Sequence, residues 1–133
     1  MTNEQLISIA MDAMKRAYCP YSEFRVGAAL ITKTGKVFTG CNIENASFGA
    51  TVCAERTAIF KAVSEGFVNF QKIAIVSDSC DTTYPCGICL QVMNEFMPDG
   101  SIVLVDKFGS VIERRVSEFL PYAFSEVDNG KEK

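Results

Sequence analysis

Histidine is absent from all 133 residues of this chain. Its absence excludes Ser-His-Asp and Cys-His catalytic triads, histidine-rich zinc hydrolase sites and an imidazole general base. Any metal site must therefore be built from thiolates and carboxylates. Any proton carrier must be a Glu, Asp, Lys, Tyr or Cys side chain.

The sequence also lacks long basic runs and long apolar runs. The formal net charge is −3 and no cationic run is longer than two residues, as in Arg114-Arg115, so the sequence has no basic cluster that would bind a nucleic-acid backbone. No apolar run approaches the length that spans a bilayer, and the N-terminal sequence lacks the basic and apolar regions of a signal peptide. We expect a cytoplasmic protein with a small-molecule partner and neither a nucleic-acid nor a membrane partner.

Apolar residues make up 48% of the chain, which is enough for a real core in one compact domain of this length. The six cysteines would suit a disulfide scaffold in a secreted protein. In a reducing cytoplasm, cysteines are more often metal ligands or nucleophiles. We predict one domain over residues 1–125, followed by a polar, frayed tail at 126–133.

Hydrophobic periodicity predicts the order α-β-β-α-β-α-β-β, followed by a short C-terminal helix. This order predicts an α/β fold, a three-layer α/β/α arrangement with a mixed five-stranded sheet and a parallel middle fed by crossover helices. The predicted helices cover residues 2 to about 17, 53–66, 86–98 and 117–120, and the predicted strands cover 24–31, 37–43, 73–76, 102–105 and 111–115. Gly35 is expected to turn the first hairpin, and Ser117 to cap the last helix.

Two short motifs carry the chemistry of the sequence. Cys53 stands two residues before Glu55 and three before Arg56, while Cys86 and Cys89 form a Cys-x-x-Cys pair. Three cysteines and one free carboxylate can make a catalytic zinc site with one position open for water. Both motifs fall at predicted helix N-termini, where the helix dipole favours thiolates. Cys53 and Glu55 can converge only if Cys53 lies at the helix start.

Two other interpretations of the cysteine pair are open. Cys-x-x-Cys also occurs in structural zinc sites, here with Cys53 and Cys80 as the other two ligands, and in thiol–disulfide enzymes. In the first case the chain could be a non-catalytic, zinc-stabilised binding module. Replacing Glu55 by Gln would separate an enzyme from such a module.

A first ligand, one residue, a glutamate and then Pro-Cys-x-x-Cys form the signature of zinc-dependent nucleobase deaminases. Over nearly its whole length the chain resembles the small, homotetrameric cytidine deaminases with three cysteine ligands. Besides the two motifs, the resemblance rests on Pro20-Tyr-Ser, Phe24-Arg-Val-Gly-Ala-Ala-Leu, Gly40-Cys-Asn-Ile-Glu-Asn-Ala46 and Leu120-Pro-Tyr-Ala-Phe124.

The resemblance implies hydrolysis of cytidine and deoxycytidine to uridine and deoxyuridine plus ammonia, in pyrimidine salvage. It implies one zinc ion per chain, held by Cys53, Cys86 and Cys89, with hydroxide on the zinc attacking C4 of the base. Glu55 would be the proton shuttle.

The same resemblance implies the substrate contacts. Asn42 and Glu44 match positions that bind the ribose hydroxyls, and Phe24 matches one that packs on the nucleoside. The backbone around Ala54 and Pro85 would read the base. Phe124 would reach into the active site of a neighbouring subunit, so that each site of the homotetramer is composite.

One position departs from the family pattern. The family usually has Arg directly after the last cysteine, where this chain has Leu90. Arg56 is then expected to be the main side-chain cation that opposes the charge of the three thiolates. The departure keeps open a related nucleoside deaminase that acts on N4-substituted cytidines or on a nucleoside antibiotic.

Overall fold

The protein, described from a computed structural model, is defined over residues 1–126. Its helices are α1 (Asn3–Met14), α2 (Ala54–Ser64), α3 (Gly87–Phe96) and the short α4 (Val116–Phe119), with a 3-10 turn at Phe48–Ala50. Its strands are β1 (Val26–Thr32), β2 (Val37–Cys41), β3 (Phe70–Ser77), β4 (Ser101–Val105) and β5 (Val111–Arg115).

The five strands form one mixed sheet in the order β2-β1-β3-β4-β5. β1 pairs antiparallel with β2 and β3, and β4 pairs antiparallel with β5. Only β3 and β4 are parallel among the described strands, and α3 makes the crossover between them that a parallel pair requires. The mixed five-stranded sheet is confirmed, with its parallel part limited to this one pair.

Helices cover both faces of the sheet. Successive residues of a strand point to opposite faces, so Ala29 of β1 packs with α1, whereas Leu30 packs with α2 and α3. The same alternation in β3 sends Ala74 towards α1 and Ile75 towards the other two helices. The three-layer α/β/α arrangement is therefore confirmed, and the metal motifs lie on the α2 and α3 side.

Most boundaries shift by a few residues from the predicted ones. α1 begins after Thr2, whose side chain and that of Gln5 form the expected capping box, but it ends at Met14 rather than near residue 17. β1 begins at Val26, so Phe24 lies in a loop, and β2 ends at Cys41. Gly35 turns the first hairpin with φ +97° as expected.

The cap residue predicted for the last helix is wrong. α4 begins at Val116, and the residue in the cap position is Arg115, not Ser117. The helix follows β5 directly: the Val116 amide donates to the carbonyl of Gly100 at 3.0 Å, which extends the β4–β5 register by one pair, and the chain turns into the helix at this same residue. Of the predicted tail, residues 127–133 lie outside the described residues, so the frayed tail and the domain limits stay predictions.

Candidate metal centre and adjoining pocket

Two helix starts bring the cysteines together. Cys53 occupies the cap position of α2 and Cys86 that of α3, both with extended backbone at φ −71°, ψ 155° and φ −74°, ψ 165°. Cys89 lies one turn into α3, and its amide donates to Cys86 Sγ at 3.4 Å. The structure thus confirms that Cys53 stands at the helix start, the condition under which its side chain can meet that of Glu55.

The three thiols are spaced for a metal ion. The Sγ atoms of Cys53, Cys86 and Cys89 all lie within 4.8 Å of one another, and those of Cys53 and Cys86 are 3.8 Å apart. Zinc–sulfur bonds of about 2.3 Å in a tetrahedron put two sulfur atoms about 3.8 Å apart. The donor set and its spacing therefore fit a zinc ion.

The remaining cysteines take no part in this cluster. All six cysteines lie within the described residues and all are free thiols, so the disulfide scaffold is not formed. Cys80 is exposed and lines a different cavity, beside Ser79 and Asp81. A four-cysteine structural site that includes Cys80 is therefore wrong for this fold.

A guanidinium group lies against the thiols. Nη2 of Arg56 donates to Sγ of Cys53 at 3.3 Å. The hydrogen bond with the Cys89 thiol, followed by the bond from Arg56, lowers the pKa of Cys53 to about 5. The same Cys53 contact, with burial, raises the pKa of Cys89, because one negative charge resists a second beside it. Of Cys53 and Cys89, Cys53 is therefore the thiol that ionises first in the metal-free protein.

Glu55 is a buried carboxyl group that faces the pocket. Its residue is 4% exposed, and burial is the main cause that raises its pKa to about 7, with the neighbouring Cys53 charge adding to the effect. A carboxyl with this pKa exchanges protons readily near neutral pH. Such a shift in a cleft is typical of a proton-transferring group.

A glycine lets this end of α2 approach the sheet. A Cβ atom at Gly40 of β2 would lie 2.4 Å from the carbonyl oxygen of Ala54 and 2.5 Å from the amide of Ala58. Any larger residue would push the first turn of α2 away from the strand. Gly40 therefore helps to bury Glu55 and fixes the height of Cys53 above the sheet.

The pocket beside the thiols is a cleft of ≈ 280 Å³, close to the lower end of the range for small-molecule sites, roughly 300 Å³. It brings together most of the residues named from the sequence. Its lining residues from that set are Phe24, Asn42, Glu44, Cys53, Ala54, Glu55 and Cys86. Pro85 is buried between Cys86 and a further lining residue, Tyr84, rather than in the wall itself.

Several lining residues were not named from the sequence. Ser22, Thr51, Thr83 and Tyr84 also line the pocket. Ser22 belongs to the Pro20-Tyr-Ser segment, and Thr51 and Tyr84 stand just before the two cysteine motifs. Their position next to a motif was the signal by which these three could have been identified from the sequence. Thr83 had no such signal, since it is placed by the loop that precedes α3.

The far end of the pocket is built by hydrogen bonds across loops. Asn42 is 8% exposed, and its carboxamide accepts from the Val26 amide at 2.9 Å and donates to the Phe24 carbonyl at 2.7 Å. The Glu44 carboxylate accepts from the backbone amides of Tyr21 and Ser22 at 3.0 and 3.1 Å. Asn42 and Glu44 thus hold the loop that carries Phe24.

Phe124 lies away from the pocket of its own chain. Its ring is exposed and, among the described residues, it is not part of the pocket wall. Its carbonyl accepts from Nε2 of Gln91 at 2.9 Å and from Nδ2 of Asn94 at 3.3 Å. The C-terminal segment is therefore fastened to α3, the helix that carries Cys89.

Leu90 packs inward from α3. It is 7% exposed and belongs to the core between the sheet and the two site-bearing helices. Arg56 is the cation whose charge acts on Cys53 and Cys89.

In the part of the chain that the structure describes, no helix has both the length and the hydropathy of a membrane span.

Comparisons with known proteins agree with this geometry. The family model described as the zinc-binding region of cytidine and deoxycytidylate deaminases matches residues 1–105. A cytidine deaminase of Halalkalibacterium halodurans is 50% identical over 129 residues, covering 96% of this chain and 98% of the relative. A blasticidin-S deaminase of Bacillus cereus is 32% identical, covering 91% of both chains. The crystal structure of a cytidine deaminase from Burkholderia pseudomallei superposes with a TM-score of 0.88 at 47% identity, over 93% of this chain and 100% of that one.

Proposed function

The chain belongs to the cytidine and deoxycytidylate deaminase family, and we propose that it hydrolyses cytidine and deoxycytidine to uridine and deoxyuridine, releasing ammonia. Three convergent thiols beside a buried carboxyl group in one cleft are the observation that carries this function. The products are nucleosides that pyrimidine salvage uses.

Cys53, Cys86 and Cys89 would hold one zinc ion per chain, since their sulfur spacing fits one. When bound there, zinc supplies the Lewis-acid chemistry that makes water a nucleophile at neutral pH. Arg56 donates to the Cys53 thiol and offsets part of the negative charge of three thiolates. Because metal-binding thiols must stay reduced, the cytoplasm is the compartment that fits this site.

Glu55 is the proton carrier in this proposal. It would take one proton from the attacking water and deliver it to N3 of the base, then take the proton of the hydroxyl group formed at C4 and pass it to the amino group as that group leaves C4. The reaction consumes one water and releases one ammonia, so protons pass through Glu55 without net gain or loss. A pKa of about 7, raised chiefly by burial, suits a group that must both accept and donate near neutral pH.

The cleft would hold the nucleoside with its base towards the thiols. The backbone at Ala54 and near Pro85 borders the metal end, where it can read the base. Asn42 and Glu44 stand at the other end, where their polar atoms can meet the sugar hydroxyls, and Phe24 offers a ring for packing.

We assign a homotetramer with composite sites to the working enzyme. Exposed apolar side chains support the assignment: Phe48 is 78% exposed just before α2, Ile88 is 63% exposed in the first turn of α3, and Phe124 is 68% exposed. Large apolar groups on a surface are typical of subunit contacts. Phe124, fastened to α3 through its carbonyl, would enter the cleft of a neighbouring subunit.

The test is a spectroscopic deamination assay with purified protein of known zinc content. We expect cytidine and deoxycytidine to be deaminated with ammonia released in equal amount. N4-alkylated cytidines and blasticidin S are the competing substrates, since the relative named for blasticidin S is 32% identical. Turnover of these compounds but not of cytidine would favour the related deaminase. A zinc-loaded protein inactive on all of them would be a binding module.

A further inference from the structure

The hydroxyl group of Ser22 lies between the substrate loop and the Glu44 carboxylate. Its Oγ donates a hydrogen bond to Oε2 of Glu44 and accepts one from the amide of Phe24 at 3.1 Å. Ser22 and Glu44 both line the pocket that also holds Cys53 and Glu55. A single side chain therefore connects the backbone of Phe24 to a carboxylate in the pocket wall.

The bonding capacity of Glu44 limits what it can offer to a ligand. Oε1 already accepts from two backbone amides, those of Tyr21 and Ser22, which fills the two lone pairs of a carboxylate oxygen. Oε2 accepts from the Ser22 hydroxyl and keeps one lone pair. Glu44 can thus accept about one further hydrogen bond, and the Ser22 hydroxyl helps to set its direction.

The loop that carries Ser22 is held on two sides. The Asn42 carboxamide binds the Phe24 carbonyl and the Val26 amide on one side. On the other side, the Glu23 amide donates to the Cys19 carbonyl at 2.9 Å, and Glu23 itself adopts φ +58°. A non-glycine residue in this region needs support from its neighbours. These contacts therefore fix the backbone of the loop, and the hydrogen bond with Glu44 orients the Ser22 side chain.

We propose that Ser22 is a positioning residue for the sugar of the nucleoside. Its hydroxyl orients the Glu44 carboxylate so that the open lone pair of Oε2 accepts from a secondary hydroxyl of the sugar ring. The inference rests on the proposed function, because it needs a nucleoside in this cleft. It adds a residue that acts through Glu44 and does not touch the reacting atoms.

Ser22→Ala is the test, compared with Ser22→Thr, which keeps a hydroxyl at the same position. We expect Ser22→Ala to raise KM for cytidine about 3- to 10-fold, since a hydrogen bond to a charged group is lost at a partly solvated site. kcat should change less than about 2-fold, because proton transfer at Glu55 is untouched. Ser22→Thr should restore most of the KM. Ser64→Ala is the control, since that hydroxyl only binds the Lys61 carbonyl at the end of α2.

A sugar series separates positioning from a structural role. The wild type and Ser22→Ala are compared on cytidine, 2′-deoxycytidine and 2′,3′-dideoxycytidine. For each nucleoside, kcat/KM of the wild type is divided by kcat/KM of Ser22→Ala. If Ser22 acts through a secondary hydroxyl of the sugar, this ratio should fall to about one for the nucleoside that lacks that hydroxyl. An undiminished ratio on dideoxycytidine, or an unchanged KM of Ser22→Ala for cytidine, would overturn this inference but not the proposed function. A zinc-loaded wild type without cytidine turnover would overturn the proposed function and, with it, this inference.

Discussion

The two ends of the cleft are built in different ways. At the metal end, Cys53, Glu55, Cys86 and Cys89 occupy the caps and first turns of two helices that pack on the sheet. At the other end, which is the proposed sugar end, Ser22, Asn42 and Glu44 lie on loops or just past a strand, and hydrogen bonds between segments 16 to 23 residues apart hold them. The metal end owes its geometry to helix starts and core packing, and the sugar end owes its geometry to polar contacts at the surface.

This difference predicts that the two ends affect different kinetic parameters. At the metal end, Glu55 and Cys89 are buried, and the pKa values of Cys53, Glu55 and Cys89 are shifted from their ordinary values, so replacement of these groups should change kcat. In the proposed function, the groups at the sugar end bind and orient the nucleoside, so their replacement should change KM with smaller effects on kcat. Variants at each end test this difference.

The largest expected effect is that of Glu55→Gln. We expect kcat for cytidine to fall by about 10²- to 10⁴-fold, the contribution of a positioned acid–base group. Zinc content should stay near one ion per chain, because the three thiols are unchanged. Steady-state kinetics and metal analysis on the same sample check both points. Glu65→Gln, at the exposed end of α2, is the control, and wild-type kcat in Glu55→Gln would rule out Glu55 as the proton carrier.

The same substitution should stabilise the metal-free protein at alkaline pH. Burial raises the folded-state pKa of Glu55 from 4.5 to about 7, so the folded protein binds a proton that the unfolded chain releases above pH 4.5. That contribution is fully present below pH 4.5 and is lost as pH rises through about 7. A shift of this size corresponds to at most about 3 kcal/mol.

Urea unfolding of chelator-treated protein at pH 5 and pH 8 measures this effect. The free energy of unfolding of the wild type should fall more between the two pH values than that of Glu55→Gln. The three thiols are present in both proteins, so the difference between the two proteins reports Glu55 together with its charge coupling to Cys53 and Cys89. Equal losses in the two proteins would mean that the carboxyl is not held protonated by its burial.

The division between the two ends also explains what the sequence could predict. The spacings Cys-x-Glu and Cys-x-x-Cys lie within one turn of a helix start, so local geometry brings Cys53 towards Glu55, and Cys86 towards Cys89. That the two pairs meet depends on the sheet, whose strands were predicted from continuous apolar runs. The family resemblance supplied Asn42 and Glu44, which local patterns alone would have assigned to a strand end and a turn.

The partners of these sugar-end residues were beyond local reasoning. Nothing in the spacing of Ser22 and Glu44 indicates that a hydroxyl meets a carboxylate 22 residues away. Likewise, the inward direction of Leu90 depends on how α3 packs on the sheet. The Ser117 cap failed because the helix begins at Val116, directly where β5 ends, so that Arg115 takes the cap position.

Asn42→Ala tests the sugar end at its most buried point. The change leaves the Val26 amide and the Phe24 carbonyl without their side-chain partner, which should cost about 1–3 kcal/mol of unfolding free energy. We expect KM for cytidine to rise about 10-fold or more, since the loop that carries Phe24 loses a support. Urea unfolding and kinetics check the two effects. Asn45→Ala, whose carboxamide binds the nearby Ser47 amide in an exposed loop, is the control for a lost local hydrogen bond.

A rise in KM without a comparable fall in kcat would support the division between the ends. A fall in kcat as large as that of Glu55→Gln would contradict it, because the sugar end would then control proton transfer. The zinc content of Asn42→Ala should equal that of the wild type, since its contacts are with the β1 side of the pocket.

The smallest expected effect is that of Leu90→Arg, which adds a cation next to the last cysteine. A second positive charge favours the deprotonated form of the groups that titrate at the metal end, so the acid limb of the kcat profile should move to lower pH. We expect a shift of about half a pH unit to one unit, about 1 kcal/mol, with zinc content unchanged. Because Leu90 is buried in the core, the guanidinium must turn outward, and some stability should be lost. Leu90→Met keeps the volume without the charge and should leave the profile in place. Superimposable profiles for Leu90→Arg and the wild type would mean that Arg56 alone already sets the charge balance of the three thiols.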